Sequence, residues 1–204
     1  GEKDVLTNEE RAEFEERRNA EIAVRDDQVP ADIVGNYNQF WFDRGTTVVE
    51  THRTSLVVDP PDGKLPARTE AARARGTERG RLLGRDAFGP EDRGAFERCI
   101  LGFNSGPPMT PSAYNNNVQL FQTEDTVVLL AEMNHNARVV PLTGSDHAPS
   151  SVRQWTGDSR GHWDGDTLVV ETTNFLRETN FMRGVTSSDL TLVERFTRVD
   201  ADTL

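Results

Sequence analysis

Apolar and polar positions change rhythm along the chain, and each rhythm predicts a different element. Residues 8–25 are mostly charged, with Phe14, Ala20, Ile22 and Ala23 among the few apolar side chains. Thr7 followed three residues later by Glu10 is a capping-box pattern, and Glu9 and Glu10 sit where the helix dipole favours anions. A helix is therefore expected from Asn8 to about Arg25. Its apolar stripe is too thin for a deep core, so it is either a solvated helix on its own domain or an arm that docks on a partner. Gly35–Phe42 then gathers the aromatics Tyr37, Phe40, Trp41 and Phe42. Thr46–Asp59 (TTVVETHRTSLVVD) holds two β-branched runs and predicts a strand or strand pair, closed by the turn at Pro60–Gly63.

Residues 64–98 have no apolar periodicity. Pro66 suits the first turn of a helix, and Ala67–Arg81 is rich in Ala, Arg and Glu but interrupted by Gly76 and Gly80. Pro90 predicts a short second helix reaching Cys99. From Ile100 onward the texture is β. Val118–Thr123, Thr126–Met133 and Ala137–Leu142 read as strands joined by short polar turns, hence antiparallel neighbours. Val152–Trp155, Asp166–Thr173 and Asp189–Val199 follow, for about seven or eight strands in all.

This pattern predicts a mainly β protein, an antiparallel meander sheet or lipocalin-like barrel with peripheral N-terminal helices. Residues 1–34 form a charged helical arm in this reading. Residues 35–204 form the β domain, with an Arg-rich insert at about 64–98. Val199–Leu204 reads as a turn leading into another strand, so the sheet edge there is expected to be open to a partner or to a further segment.

Composition narrows the function classes. The 204 residues carry 23 Lys or Arg against 34 Asp or Glu, a formal net charge of −11. Such an acidic chain suits neither phosphate backbones nor anionic membranes. No stretch approaches eighteen apolar residues, so no membrane-spanning helix is expected. Cys99 is the single cysteine, which excludes an intrachain disulfide and a cysteine-built metal centre. Its neighbours Ile100 and Leu101 predict a buried, inert thiol. Gly1 followed at once by charged residues reads as a mature or trimmed start.

Candidate chemistry is concentrated in polar clusters. Asp158, Arg160, His162, Asp164 and Asp166 surround Trp163, and a histidine beside a carboxylate is a general-base pair. The same glycine-punctuated stretch equally reads as a turn whose aspartates cap backbone amides while Trp163 packs across a barrel mouth. Glu132, Asn134, His135 and Arg138 lie at a turn between strands, with Asp146 and His147 in the next loop. If these loops converge, His135, His147, His162 and Asp158 meet. The catalytic candidates are accordingly His135, Asp158 and His162. The ligand-binding candidates are Tyr37, Trp41, Asn115, Glu132, Arg138, Arg160 and Trp163. No HExxH or HxH spacing exists, so neither a metal site nor a cofactor is expected. There is no G-x-S-x-G elbow, and the glycines of GTERG and GRLLG lack the setting of a phosphate loop.

Several segments also resemble a large family of uncharacterised bacterial proteins. They are Gly157–Phe175 (GDSRGHWDGDTLVVETTNF), Leu192–Thr203 (LVERFTRVDADT), Asn38–Gly45, Arg53–Pro66 and Glu97–Met109. The resemblance implies an exported, periplasmic or other envelope protein, with further strands beyond the position of Leu204, and implies no activity. The W-x-G-D-T-L-V-V run also resembles lipocalin-like barrels, a likeness of fold alone.

Two functions stay open at this point. One is a non-catalytic binding or structural protein of the bacterial envelope, a peripheral subunit of a larger complex. It would engage protein partners through the arm, the Arg-rich insert or the open sheet edge, with a small-molecule ligand also admissible. The other is a small-molecule hydrolase, lyase or isomerase using histidine and aspartate at one barrel end.

Overall fold

A computed structural model describes residues 3–27, 41–42, 44–102, 104–181, 184–185 and 187–204. Tyr37, with the rest of 28–40, lies outside the described residues. The chain forms two compact units, Gly1–Arg68 and Thr69–Leu204.

In the first unit, helix α1 spans Asn8–Asp27. The capping box is present in both directions: Thr7 N–H donates to Glu10 Oε2 at 2.7 Å, and Glu10 N–H donates to Thr7 Oγ1 at 3.3 Å. The strand pair expected over Thr46–Asp59 is not there. A single antiparallel bridge, Val5 to Arg53, is its only sheet-like pairing among the described residues. The backbone of this segment is satisfied elsewhere. Val48 N–H donates to Glu15 Oε1 at 2.8 Å, and Asn19 Nδ2 donates to Thr46 O at 3.2 Å. Side chains of α1 thus take the partners that a ladder would have supplied.

In the second unit, helix α2 spans Glu70–Leu83 and is capped by Thr69, which accepts from the Ala72 N–H. None of its residues is buried, as the missing periodicity implied. The helix expected from Pro90 is only a 3-10 turn, Pro90–Asp92. Cys99 is exposed and adopts a φ of 53°, against the expectation of a buried thiol.

Among the described residues eight strands follow: β1 (Val118–Gln122), β2 (Thr126–Ala131), β3 (Ala137–Pro141), β4 (Asp158–Asp164), β5 (Thr167–Thr173), β6 (Asn180–Phe181), β7 (Gly184–Val185) and β8 (Leu192–Thr197). They form two three-stranded antiparallel sheets, β1-β2-β3 and β4-β5-β8, with β6 and β7 as a small separate pair. The antiparallel meander is thus observed, and among the described residues the strands do not close into a barrel. Val152–Trp155 is no strand either; Gln154 makes one parallel bridge to Phe175.

Strand β4 is the unexpected element, because it occupies the stretch that reads as a turn. Its hairpin to β5 turns in two residues, Gly165 and Asp166, between the paired Asp164 and Thr167. Gly165 supplies the positive φ of 59° that such a turn requires at its first position. The inward positions of β4 are Ser159, Gly161 and Trp163, which pair with Thr172, Val170 and Leu168 of β5. At Gly161 the β4 backbone lies tight against side chains from the end of β3. A Cβ there would lie 2.8 Å from both Val140 Cγ1 and Leu142 Cδ2.

A cluster of buried apolar side chains lies between the sheets. Val127, Leu129 and Val140 contribute from one, Leu168 and Val170 from the other, with Leu142 and Phe196 packed against them. Arg138 of β3 and Glu194 of β8 also point inward and form an ion pair. Burying these apolar side chains stabilises the unit by roughly 1.5–3 kcal/mol each.

Candidate functional site

Two places in the second unit bring chemistry together, one on the outer face of β4-β5 and one between the sheets. On the outer face, alternation along β4 places Asp158, Arg160 and His162 on one side. Asp158 is buried, and residues 146–148 lie over it. Its Oδ2 accepts from the Ala148 N–H at 2.9 Å and lies 2.9 Å from His147 Nδ1, while its Oδ1 accepts from Arg160 Nη1 at 2.7 Å. His147 Nε2 in turn lies 3.3 Å from Glu171 Oε1. Arg160 Nε donates to Asp146 O at 3.1 Å, and Asn174 Nδ2 donates to Ala148 O at 2.8 Å. Burial alone would raise the Asp158 carboxyl. The Ala148 N–H, His147 and Arg160 outweigh it, so the carboxyl is held below its ordinary value.

The sequence clusters are therefore sorted rather than merged. Asp158, Arg160 and His147 meet; Glu171 joins them, a residue that the sequence reading had placed in a strand without a role. The register explains its arrival, because Arg160 and Glu171 are direct cross-strand partners. His162 is exposed, four residues beyond Asp158, a separation of about 13 Å at the usual strand rise. His135 is exposed in the 3-10 turn Met133–His135 that follows β2. Among the described residues no hydrogen bond links His135, Asp158 and His162.

The other binding candidates are dispersed. Arg138 is buried against Glu194. Glu132 accepts from Asn117 Nδ2 at 2.9 Å, tying the start of β1 to the end of β2. Asn115 contributes its carbonyl to Asn104 Nδ2 at 2.8 Å. Trp41 is exposed in the first unit.

Trp163 marks the second place. It is 47% exposed and stands at the mouth of a cleft of about 430 Å³ between the sheets. Leu120, Val127, Leu168 and Phe196 wall this cleft, with Asp166 and Arg198 at its rim. The registers account for the wall: Trp163 pairs with Leu168, and Leu168 pairs with Phe196, so three strands place them in one row. Residues of β1 and β8 line the cleft, and among the described residues each of these strands pairs on one side only. Arg198 is held at the rim by its own turn, Nε donating to Asp200 O at 3.0 Å and Nη2 to Ala201 O at 2.6 Å. Leu168 and Phe196 had not been singled out in the sequence. The period of two along a strand puts Leu168 on one side with Val170 and Phe196 on one side with Leu192 and Glu194, but the residue types alone do not say which side is inward.

Among the described residues, no group of three or more His, Cys, Asp and Glu side chains is arranged to hold a metal ion. Nor is any helix there long and apolar enough to cross a membrane. No protein-family model matches the chain, and the comparisons with curated proteins and with solved structures return no match.

Proposed function

We propose that this chain is a non-catalytic binding protein, and that the cleft at Trp163 takes a small, uncharged aromatic molecule. The observation that carries the reading is the cleft itself. Its volume lies within the range of small-molecule sites, and Leu120, Val127, Trp163, Leu168, Phe196 and Leu204 give it aromatic and aliphatic surface beside a few polar groups such as Gln122 and Asp166. An indole left half in water at such a mouth gains apolar contact when a flat ligand covers it.

The outer-face cluster supports the non-catalytic side of this reading. A general base needs a ring nitrogen directed at substrate, whereas both nitrogens of His147 face carboxylates, Asp158 and Glu171. The cluster fastens residues 146–148 onto β4. An envelope location rests on the resemblance of the motif segments to bacterial envelope proteins. A role as a peripheral subunit rests on the charged helix α1 and the unpaired edges of β1 and β8.

The test is titration with the uncharged fluorophore N-phenyl-1-naphthylamine. Saturable one-to-one binding is expected, with a micromolar dissociation constant. Trp163→Ala and Leu120→Glu, both partly exposed positions that leave the core in place, should each weaken it. Unsaturable binding, or binding that neither substitution changes, would overturn the reading.

A further inference from the structure

Away from the cleft, α2 and residues 177–178 line a second, half-open pocket of about 210 Å³, formed by Arg75, Glu78, Arg79, Leu82, Arg177 and Glu178. Arg75 and Arg79 are one helical turn apart and share a face of α2. Arg177 faces them from the turn before β6. Three guanidinium groups and two carboxylates thus surround one small space.

The charges do not cancel. Glu78 pairs with Arg177 at 3.5 Å, and Glu178 attracts Arg79. Arg75 is left over. The Nε atoms of Arg75 and Arg79 are both shielded from water and have no hydrogen-bond acceptor among the described residues. A buried guanidinium N–H without an acceptor loses its hydration and gains nothing in return. Burial accordingly pushes Arg79 below its ordinary value, with Glu178 opposing that shift. Helix propensity does not call for this arrangement, since lysine or glutamine would serve α2 equally well. A planar fork of N–H donors is what arginine adds, and its natural complement is an oxyanion.

We infer that the cavity between α2 and residues 177–178 is a binding site for a small oxyanion, a phosphate or carboxylate group, held by Arg75, Arg79 and Arg177. One such group supplies acceptors to both unpartnered Nε donors and offsets the remaining positive charge. This site is separate from the apolar cleft and stands or falls independently of it.

The test is calorimetric titration of the whole chain with inorganic phosphate and, separately, with succinate, each at constant ionic strength set by chloride. Saturable millimolar or tighter binding of at least one anion is expected, and the anion preferred identifies the group. Arg79→Gln and Arg75→Gln should each weaken it about tenfold or more, the scale of a charge-assisted hydrogen bond. Arg81→Gln removes the same charge from an exposed position of the same helix and should leave the affinity unchanged. Because no residue of α2 is buried as a whole, none of these variants removes core packing, and circular dichroism verifies that each is folded. Absence of saturable binding by either anion, or equal weakening by Arg81→Gln, would refute the site.

Discussion

Arg138 and Glu194 meet inside the second unit, one from each sheet, with side chains only 5% and 10% exposed. Besides the Nη1–Oε2 contact, Arg138 Nη2 donates to Glu194 Oε1 at 3.3 Å, so the pair is forked. Buried ion pairs of this kind contribute little net stability against an apolar replacement, yet losing one partner strands a charge in the core. Glu194→Ala is therefore expected to lower the unfolding free energy by about 3–5 kcal/mol. The double variant Arg138→Met with Glu194→Leu should recover most of that loss. Urea unfolding of the three proteins decides it, and a cost below about 1 kcal/mol for the single variant would mean the pair is solvated.

Acid should weaken the second unit through a small set of carboxylates. Asp158, Asp92 and Asp125 are all held below their ordinary value of 3.8. For Asp158 the favourable partners overcome burial. For Asp92 the cause is first the Arg85 guanidinium, and for Asp125 the hydroxyls of Thr123 and Thr126. A depressed folded value means the unfolded chain takes up the proton first. Stability should thus be level above about pH 4 and fall as pH drops through the folded values. Asp158→Asn should flatten part of that slope. Urea midpoints between pH 6 and 2.5 measure it, and an unchanged slope in the variant would contradict the assignment.

Gly161 has no room for a side chain. With Val140 Cγ1 and Leu142 Cδ2 each 2.8 Å from its would-be Cβ, Gly161→Ala should cost about 1–3 kcal/mol by overpacking. Gly165→Ala, whose position is open but has a φ of 59°, should cost less and through backbone strain alone. Comparing the two melting temperatures separates crowding from conformation.

Cys99 should react as a surface thiol. It is exposed and follows a run of turns rather than a helix. Ellman's reagent is expected to titrate one thiol within minutes in the native protein, as fast as in urea. Protection that vanishes only on unfolding would show the thiol to be covered.

The sequence was most legible where the determining contacts are local or alternate. Helix α1 and its capping box lie within a few residues of one another, β2, β3 and β8 alternate in burial at every second residue, and β1 and β5 are short apolar or β-branched runs bounded by turn residues. Strand β4 hid because its inward residues are Ser159, Gly161 and Trp163. Two of these are small for the sake of a neighbouring strand that no local pattern reveals. Thr46–Asp59 misled in the opposite way. Its β-branched residues favour extension, but Val49, Leu56 and Val58 remain exposed, and its hydrogen bonds are shared between Glu15 and Asn19 of α1 and the backbone of Asp4 and Leu6. The outer-face cluster was legible only as a condition, that separate loops converge. His147 and Asp158 are eleven residues apart, and only the folded path of residues 146–148 brings them together.

The alternation along β4 makes this strand a two-sided ruler. Asp158, Arg160 and His162 count along one side while Ser159, Gly161 and Trp163 count along the other. Inserting one residue at its start would exchange the sides, turning a guanidinium into the core and the indole away from the cleft. Length, more than side-chain identity, is the quantity this strand has to preserve. A library of single-residue insertions and deletions across Gly157–Asp166 should therefore be far less tolerated than substitutions at the outward positions.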